Sequence, residues 1–111
     1  MPKNNIILKY PLYTSGQAPI IGHFVINMPL MARIVKVAIQ RGVPTIWAMC
    51  PRDFDQNMEY HMFIAPTGGV IPGEFEYVAT YFDGPFVWHL MCHFEDLLTH
   101  TFDLASETMG E

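Results

Sequence analysis

The sequence predicts an all-β protein, a compact antiparallel sandwich or open barrel of about six to seven short strands with a short C-terminal helix or tail, on three observations. Clusters of Gly, Pro, Asn and Asp recur at roughly ten-residue spacing, as turns do in small β proteins. The runs between them are rich in β-branched and aromatic residues, many alternating with polar ones as half-buried strands require. No long stretch carries a helical period that would compete.

Ile6 to Tyr10 reads as the first strand, ended by Pro11, with Thr14-Ser15-Gly16 and Pro19 marking a loop after it. Ile20 to Met28 reads as the next, with Phe24, Ile26 and Met28 alternating against His23, Val25 and Asn27 until Pro29 stops it. A tight Pro29–Ala32 connection leads into the central hairpin, Arg33 to Cys50, whose first arm is dominated by Ile34, Val35, Val37 and Ile39. A two-residue Arg41-Gly42 turn would put Arg41 at positive φ, which a Cβ disfavours. The expected turn therefore has three residues, pairing Ile39 with Val43, Val37 with Thr45 and Val35 with Trp47. That register gathers Val35, Val37, Ile39, Val43, Trp47 and Met49 on one apolar face and leaves Ile34, Lys36, Ala38, Ile46, Ala48 and Cys50 on the other; a one-residue slip would exchange Trp47 between them.

Cys50 to Met58 is polar and turn-rich and reads as a mobile loop. Tyr60 to Ala65 is a strand, and Pro66-Thr67-Gly68-Gly69 with Pro72-Gly73 connect it to the strand Phe75 to Phe82. Asp83-Gly84 is read as the hairpin dipeptide before the last strand, Phe86 to Glu95. A short helix through Asp96, Leu97, Leu98 and Phe102 is expected to precede an acidic end. The expected organisation is one β domain, residues 1–95, and an acidic extension, 96–111.

At 111 residues, half of them hydrophobic, the chain is long enough for one core of its own. Only 15% of residues are charged, below the roughly 25% usual for soluble domains, which points to apolar surface hidden in a homo-oligomer. Asp96, Asp103, Glu107 and Glu111 carry four of the five net negative charges, so the body is nearly neutral and offers no footprint for sequence-independent nucleic-acid binding. Cys50 and Cys92 form no CxxC pair and read as reduced, buried thiols. Ile6 to Leu8 is too short for a signal peptide, and no run approaches the ~20 apolar residues needed to span a bilayer, so a soluble protein of a reducing cytoplasm is expected.

His89, Cys92 and His93 invite a metal reading. On a strand, however, His89 and His93 share a face while Cys92 faces away, and at ~3.3 Å per residue the two imidazoles stand roughly 13 Å apart, so no metal is expected. Glu74 and Glu76 flank Phe75 at a spacing that usually means solvated carboxylates, and no nucleophile elbow is present, so an enzyme is not expected and no cofactor is implied. Two features favour ligand binding instead. The Thr67-Gly68-Gly69 turn can offer backbone N–H groups to an anion. Arg33, Lys36 and Arg52 concentrate positive charge for phosphates, with Tyr10 or Tyr81 as stacking partner for a base.

Lys9-Tyr10-Pro11-Leu12, Met28-Pro29, Gly42 then Ile46-Trp47-Ala48, Thr67-Gly68, Val87-Trp88-His89 and Phe94-Glu95 occur in that order. The set resembles a family of small uncharacterised proteins encoded mainly by tailed bacteriophages, across residues 6–95. This chain departs from it by inserting Met91-Cys92-His93 and by adding residues after Glu95, which bears on the register of the last strand. The resemblance implies an accessory phage protein without catalytic motifs, acting in the host cytoplasm. The expected role is to sequester a small nucleotide signal or block a host defence protein; the alternatives are a minor virion or assembly component and, third, a small hydrolase.

Overall fold

The computed structural model describes residues 4–12 and 21–96, and within them seven strands: β1 (Asn5–Pro11), β2 (Gly22–Pro29), β3 (Arg33–Gln40), β4 (Val43–Pro51), β5 (Asn57–Pro66), β6 (Phe75–Asp83) and β7 (Phe86–His93). All pairings are antiparallel. They make one sheet ordered β1-β4-β3 and a second ordered β2-β5-β7-β6. The two inner faces meet in one core, to which the first sheet gives Val37, Ile46, Ala48 and Cys50 and the second gives Met28, Met62, Ile64, Tyr81 and Leu90. The fold is thus a β-sandwich.

Alternation places the strands as their composition requires. In β2, Phe24, Ile26 and Met28 pack on the core while His23, Val25 and Asn27 are exposed. In β7, Leu90 and Cys92 are in the core and Trp88 packs against it. Met91, Cys92 and His93 belong to that strand, pairing with Tyr77 or Phe63, with Met62 or Glu76, and with Phe75. Both cysteines are free and buried.

The connection from β2 to β3 carries the chain from one sheet to the other, and Tyr60 of β5 clamps it. Its buried hydroxyl donates to the Pro29 carbonyl at 2.9 Å and accepts from the Ala32 N–H at 3.2 Å, bracing the direct Ala32 N–H to Pro29 carbonyl bond of 3.1 Å that closes the corner. Met31 within the corner has φ 67°.

The central hairpin differs from expectation by one residue. Gln40 pairs with Val43, Val37 with Ile46 and Lys36 with Trp47, so the loop is the two-residue Arg41-Gly42 turn, with φ of 53° and 80°. The left-handed conformation costs Arg41 about 1–2 kcal/mol. Burying Ile46, Ala48 and Cys50 together in place of Trp47 offsets it, since a fully buried aliphatic side chain alone contributes about 1.5–3 kcal/mol. Trp47 and Met49 accordingly face outward. A bulge between Ile34 and Lys36 turns Val35 out as well, while Ile34, Val37 and Ile39 stay on the core side.

The β6–β7 turn also shifts. Asp83 is a paired residue, opposite Phe86, and the loop is Gly84-Pro85, with Gly84 at φ 57°. Proline cannot adopt positive φ, which leaves glycine as the first loop residue to supply it. Helical structure begins at Phe94, Glu95 and Asp96; the expected helix beyond them, the acidic end and the Thr14–Pro19 loop lie outside the described residues. Among the described residues no helix is long and apolar enough to cross a membrane.

Candidate functional site

The β5–β6 connection arches over the outer face of the second sheet and roofs a cleft of about 340 Å³. Pro66, Thr67, Gly68, Gly69 and Ile71 line it from above, and Phe75, Tyr77, His89 and Met91 of β6 and β7 form its floor. The arch starts as a β-turn closed by the Gly69 N–H donating to the Pro66 carbonyl at 2.9 Å, with Gly68 at φ 88°. The Gly69 N–H is therefore spent on the turn. A Cβ at Gly69 would sit 3.0 Å from the Pro66 ring, and at Gly68 it would meet positive φ, so both glycines are fixed by the turn itself.

His89 is held at both ring nitrogens. Nε2 lies 2.8 Å from Thr67 Oγ1, Nδ1 lies 2.9 Å from Thr80 Oγ1, and the Thr80 hydroxyl is 2.8 Å from that of Tyr77. Register explains the meeting: Thr80 stands opposite His89 across β6–β7, and His89 opposite Ala65, one residue from the strand end that delivers Thr67. With the imidazole neutral, the chain Thr67–His89–Thr80–Tyr77 has two orientations. When Tyr77 donates to Thr80, the threonine to Nδ1, and Nε2–H to Thr67, the free O–H is at Thr67. Reversal puts the free O–H at Tyr77. The cleft therefore presents one hydroxyl able to donate and another able to accept, beside the apolar Phe75, Ile71 and Met91.

The lining contains no Asp, Glu, Lys, Arg or Cys. His89 leans on a second hydroxyl where the base of a base–nucleophile pair would have a carboxylate. The cleft supplies hydroxyl and imidazole hydrogen-bonding groups beside apolar side chains.

The residues anticipated for binding do not converge. Thr67, Gly68 and Gly69 line the cleft. Arg33 lines a separate pocket of about 190 Å³ together with Tyr60, Val78, Cys92 and Asp96; Tyr77 borders both spaces. Lys36 places its ammonium over the Trp47 ring, 5.4 Å from the centroid, and the Arg52 backbone N–H donates to the Asn4 carbonyl at 3.0 Å. Neither lines either space. Tyr81 is 3% exposed and Tyr10 packs against the core from β1, so neither ring is presented for stacking. Burial pushes the Tyr10 hydroxyl up from its usual value, with the neighbouring Cys50 adding to it.

Three further features were missed by pattern reading. Tyr77 and Thr80 became visible as partners of His89 only through the β6 bulge between Tyr77 and Ala79. A second histidine group crosses β2, β5 and β7: His23 Nε2 and His61 Nδ1 are 3.1 Å apart with rings within 10° of parallel and centroids 5.3 Å apart, the dimensions of two imidazoles sharing one N–H···N bond edge to edge. His93 follows at 6.4 Å from His61, and the Asp96 carboxylate accepts the His61 backbone N–H at 2.7 Å. Among the described residues no group of three or more such side chains is arranged to hold a metal ion, and His89 and His93 have separate partners. The third feature was countable from the outset: all six Lys and Arg lie in residues 1–52 and all eleven Asp and Glu in residues 53–111.

No curated protein and no solved structure matches the chain. A family model described as a domain of unknown function (DUF7352) matches residues 3–98, taking in all seven strands and the whole cleft, and the chain therefore belongs to that family.

Proposed function

We propose that this is a non-enzymatic binding protein, a phage accessory protein that interferes with host defence by sequestering a small nucleotide-like signal. The observation that carries the reading is the cleft: a donor-or-acceptor hydroxyl pair joined through His89 beside apolar side chains suits the edge and face of a nucleobase. Tyr77 also borders the smaller pocket whose lining includes Arg33 and Asp96, so a ligand held in the cleft has that second space beside it. The phage origin rests on the ordered motifs from Lys9-Tyr10-Pro11-Leu12 to Phe94-Glu95 and is part of the proposal.

The test is to incubate purified protein with extract of infected host cells, wash it, denature it by heat and identify what is released by mass spectrometry. An intact nucleotide is the expected product, and Thr67→Val and Tyr77→Phe should each weaken its rebinding by about tenfold, the worth of one ligand hydrogen bond. A hydrolysed product would make the protein an enzyme; release of nothing, with no nucleotide raising the melting temperature, would remove the sequestration reading. Ile7 and Val35 on one outer face and Phe82 and Val70 on or beside the other are exposed, which favours the second reading, a minor virion component. That reading requires the chain to appear in purified particles.

A further inference from the structure

We propose that the outer face of the β1-β4-β3 sheet docks the acidic half of a second copy of this chain, so that copies associate head to tail. The inference builds on the self-association that the low charge content leads one to expect, and it is independent of the cleft ligand.

Register defines the face. Ile6, Leu8 and Tyr10 of β1 turn inward, so the alternate rows point out: Lys9, Trp47 and Lys36 side by side, then Ile7, Met49 and Arg33. Lys9, Arg33 and Lys36 are exposed, and so are Ile7 at 58% and Val35 at 48%. An aromatic and a methionine at the centre, rimmed by cations, is the composition of a protein-binding patch. The three strands supply no carboxylate of their own, since residues 1–52 contain no Asp or Glu, and Lys36 rests on the Trp47 ring; Asp96 shares the small pocket with Arg33 alone of the three cations.

The charge pattern selects the occupant. Two such faces meeting symmetrically would set lysine against lysine, so a closed two-fold pairing through this sheet is disfavoured. Residues 53–111 carry every carboxylate side chain and no Lys or Arg. Glu59 lies on the outward row of β5, and Glu74 and Glu76 are exposed at the start of β6. In one molecule these groups belong to the opposite sheet, so the attraction is met between copies. Trp47, covered by the Lys36 ammonium, is not an open platform for stacking a base, which favours a protein partner over a single-stranded nucleic acid.

Sedimentation of the full chain over a concentration series, at low and high salt, tests this. The mean mass should rise with concentration at low salt and fall to that of the monomer at high salt. Lys9→Glu/Lys36→Glu should be monomeric, as should Glu59→Lys/Glu74→Lys/Glu76→Lys, with unchanged circular dichroism. Lys9→Gln/Lys36→Gln, a milder change, should weaken association about tenfold. The decisive sample is an equimolar mixture of the two reversal variants: each retains one intact surface and the two altered surfaces are again opposite in charge, so the mixture should associate although neither variant does so alone. The proposal is overturned by a mixture that stays monomeric, by association that survives the lysine reversal, or by a wild-type monomer that instead shifts a single-stranded oligonucleotide through Lys9 and Lys36. None of these readouts involves the cleft, so failure here leaves the sequestration reading standing, and the reverse holds.

Discussion

Tyr60 shows how much one hydroxyl contributes in this fold. Its O–H satisfies a carbonyl and a backbone N–H at the corner where the chain changes sheets, while the ring is 4% exposed. Tyr60→Phe would remove both of these bonds but leave the corner its direct Ala32 N–H to Pro29 carbonyl bond at 3.1 Å, and the unfolding free energy measured in urea should drop by about 1 kcal/mol. Burial also pushes the Tyr60 hydroxyl up to about 12 from its ordinary 10.0, and the Cys92 thiol up to about 12 from 9.0; the Asp96 charge adds to both. Each group holds its proton more tightly folded than unfolded. The stabilisation is therefore complete below pH 9 and is lost as pH rises from there towards 12, at up to about 1.4 kcal/mol per pH unit for each group. Thermal melting followed from pH 8 to 11 should show an onset near pH 9 that Cys92→Ala reduces, leaving the contribution of the Cys50 thiol, which burial also pushes up, and the later loss due to Tyr60.

At the level of strands and turns, alternation was readable and register was not. Phe24, Ile26 and Met28 against His23, Val25 and Asn27, or Leu90 and Cys92 against His89 and Met91, declare their faces because one set is uniformly apolar. In β4 both sets are apolar, with Ile46, Ala48 and Cys50 on one and Trp47 and Met49 on the other, so hydrophobicity does not choose between registers one residue apart. The choice fell to the turn, where a local rule against positive φ at Arg41 was outweighed by core packing. Arg41→Gly should relieve that strain and raise stability by about 0.5–1 kcal/mol after the added flexibility of the unfolded chain is counted; Gly84→Ala should lower it by about 1 kcal/mol. Chemical denaturation of the two variants beside wild type checks both signs. The cleft was legible only in part for a similar reason. Thr67, Gly68 and Gly69 stand out as a turn, whereas Tyr77 and Thr80 reach His89 through a bulge that no local pattern announces.

Across the whole molecule, the sandwich keeps its two chemistries on opposite outer faces. The cleft, lined by no Asp, Glu, Lys or Arg, sits on the four-stranded sheet, and the cations surround Trp47 on the three-stranded one. Salt should therefore separate them: association between copies should weaken steeply as ionic strength rises, while a nucleoside, the proposed ligand without its phosphates, should keep its affinity for the cleft within about twofold, as titration calorimetry at two salt concentrations would measure.

The division of charge along the chain has a consequence for anyone who cuts the protein. Trypsin cleaves after Lys and Arg, and the last of these is Arg52, exposed in the turn that follows β4. A digest therefore shreds the first half and releases residues 53–111 as one long acidic peptide. A single nick after Arg52 would part the chain into a basic and an acidic piece that the β2–β5 ladder and the shared interior still join.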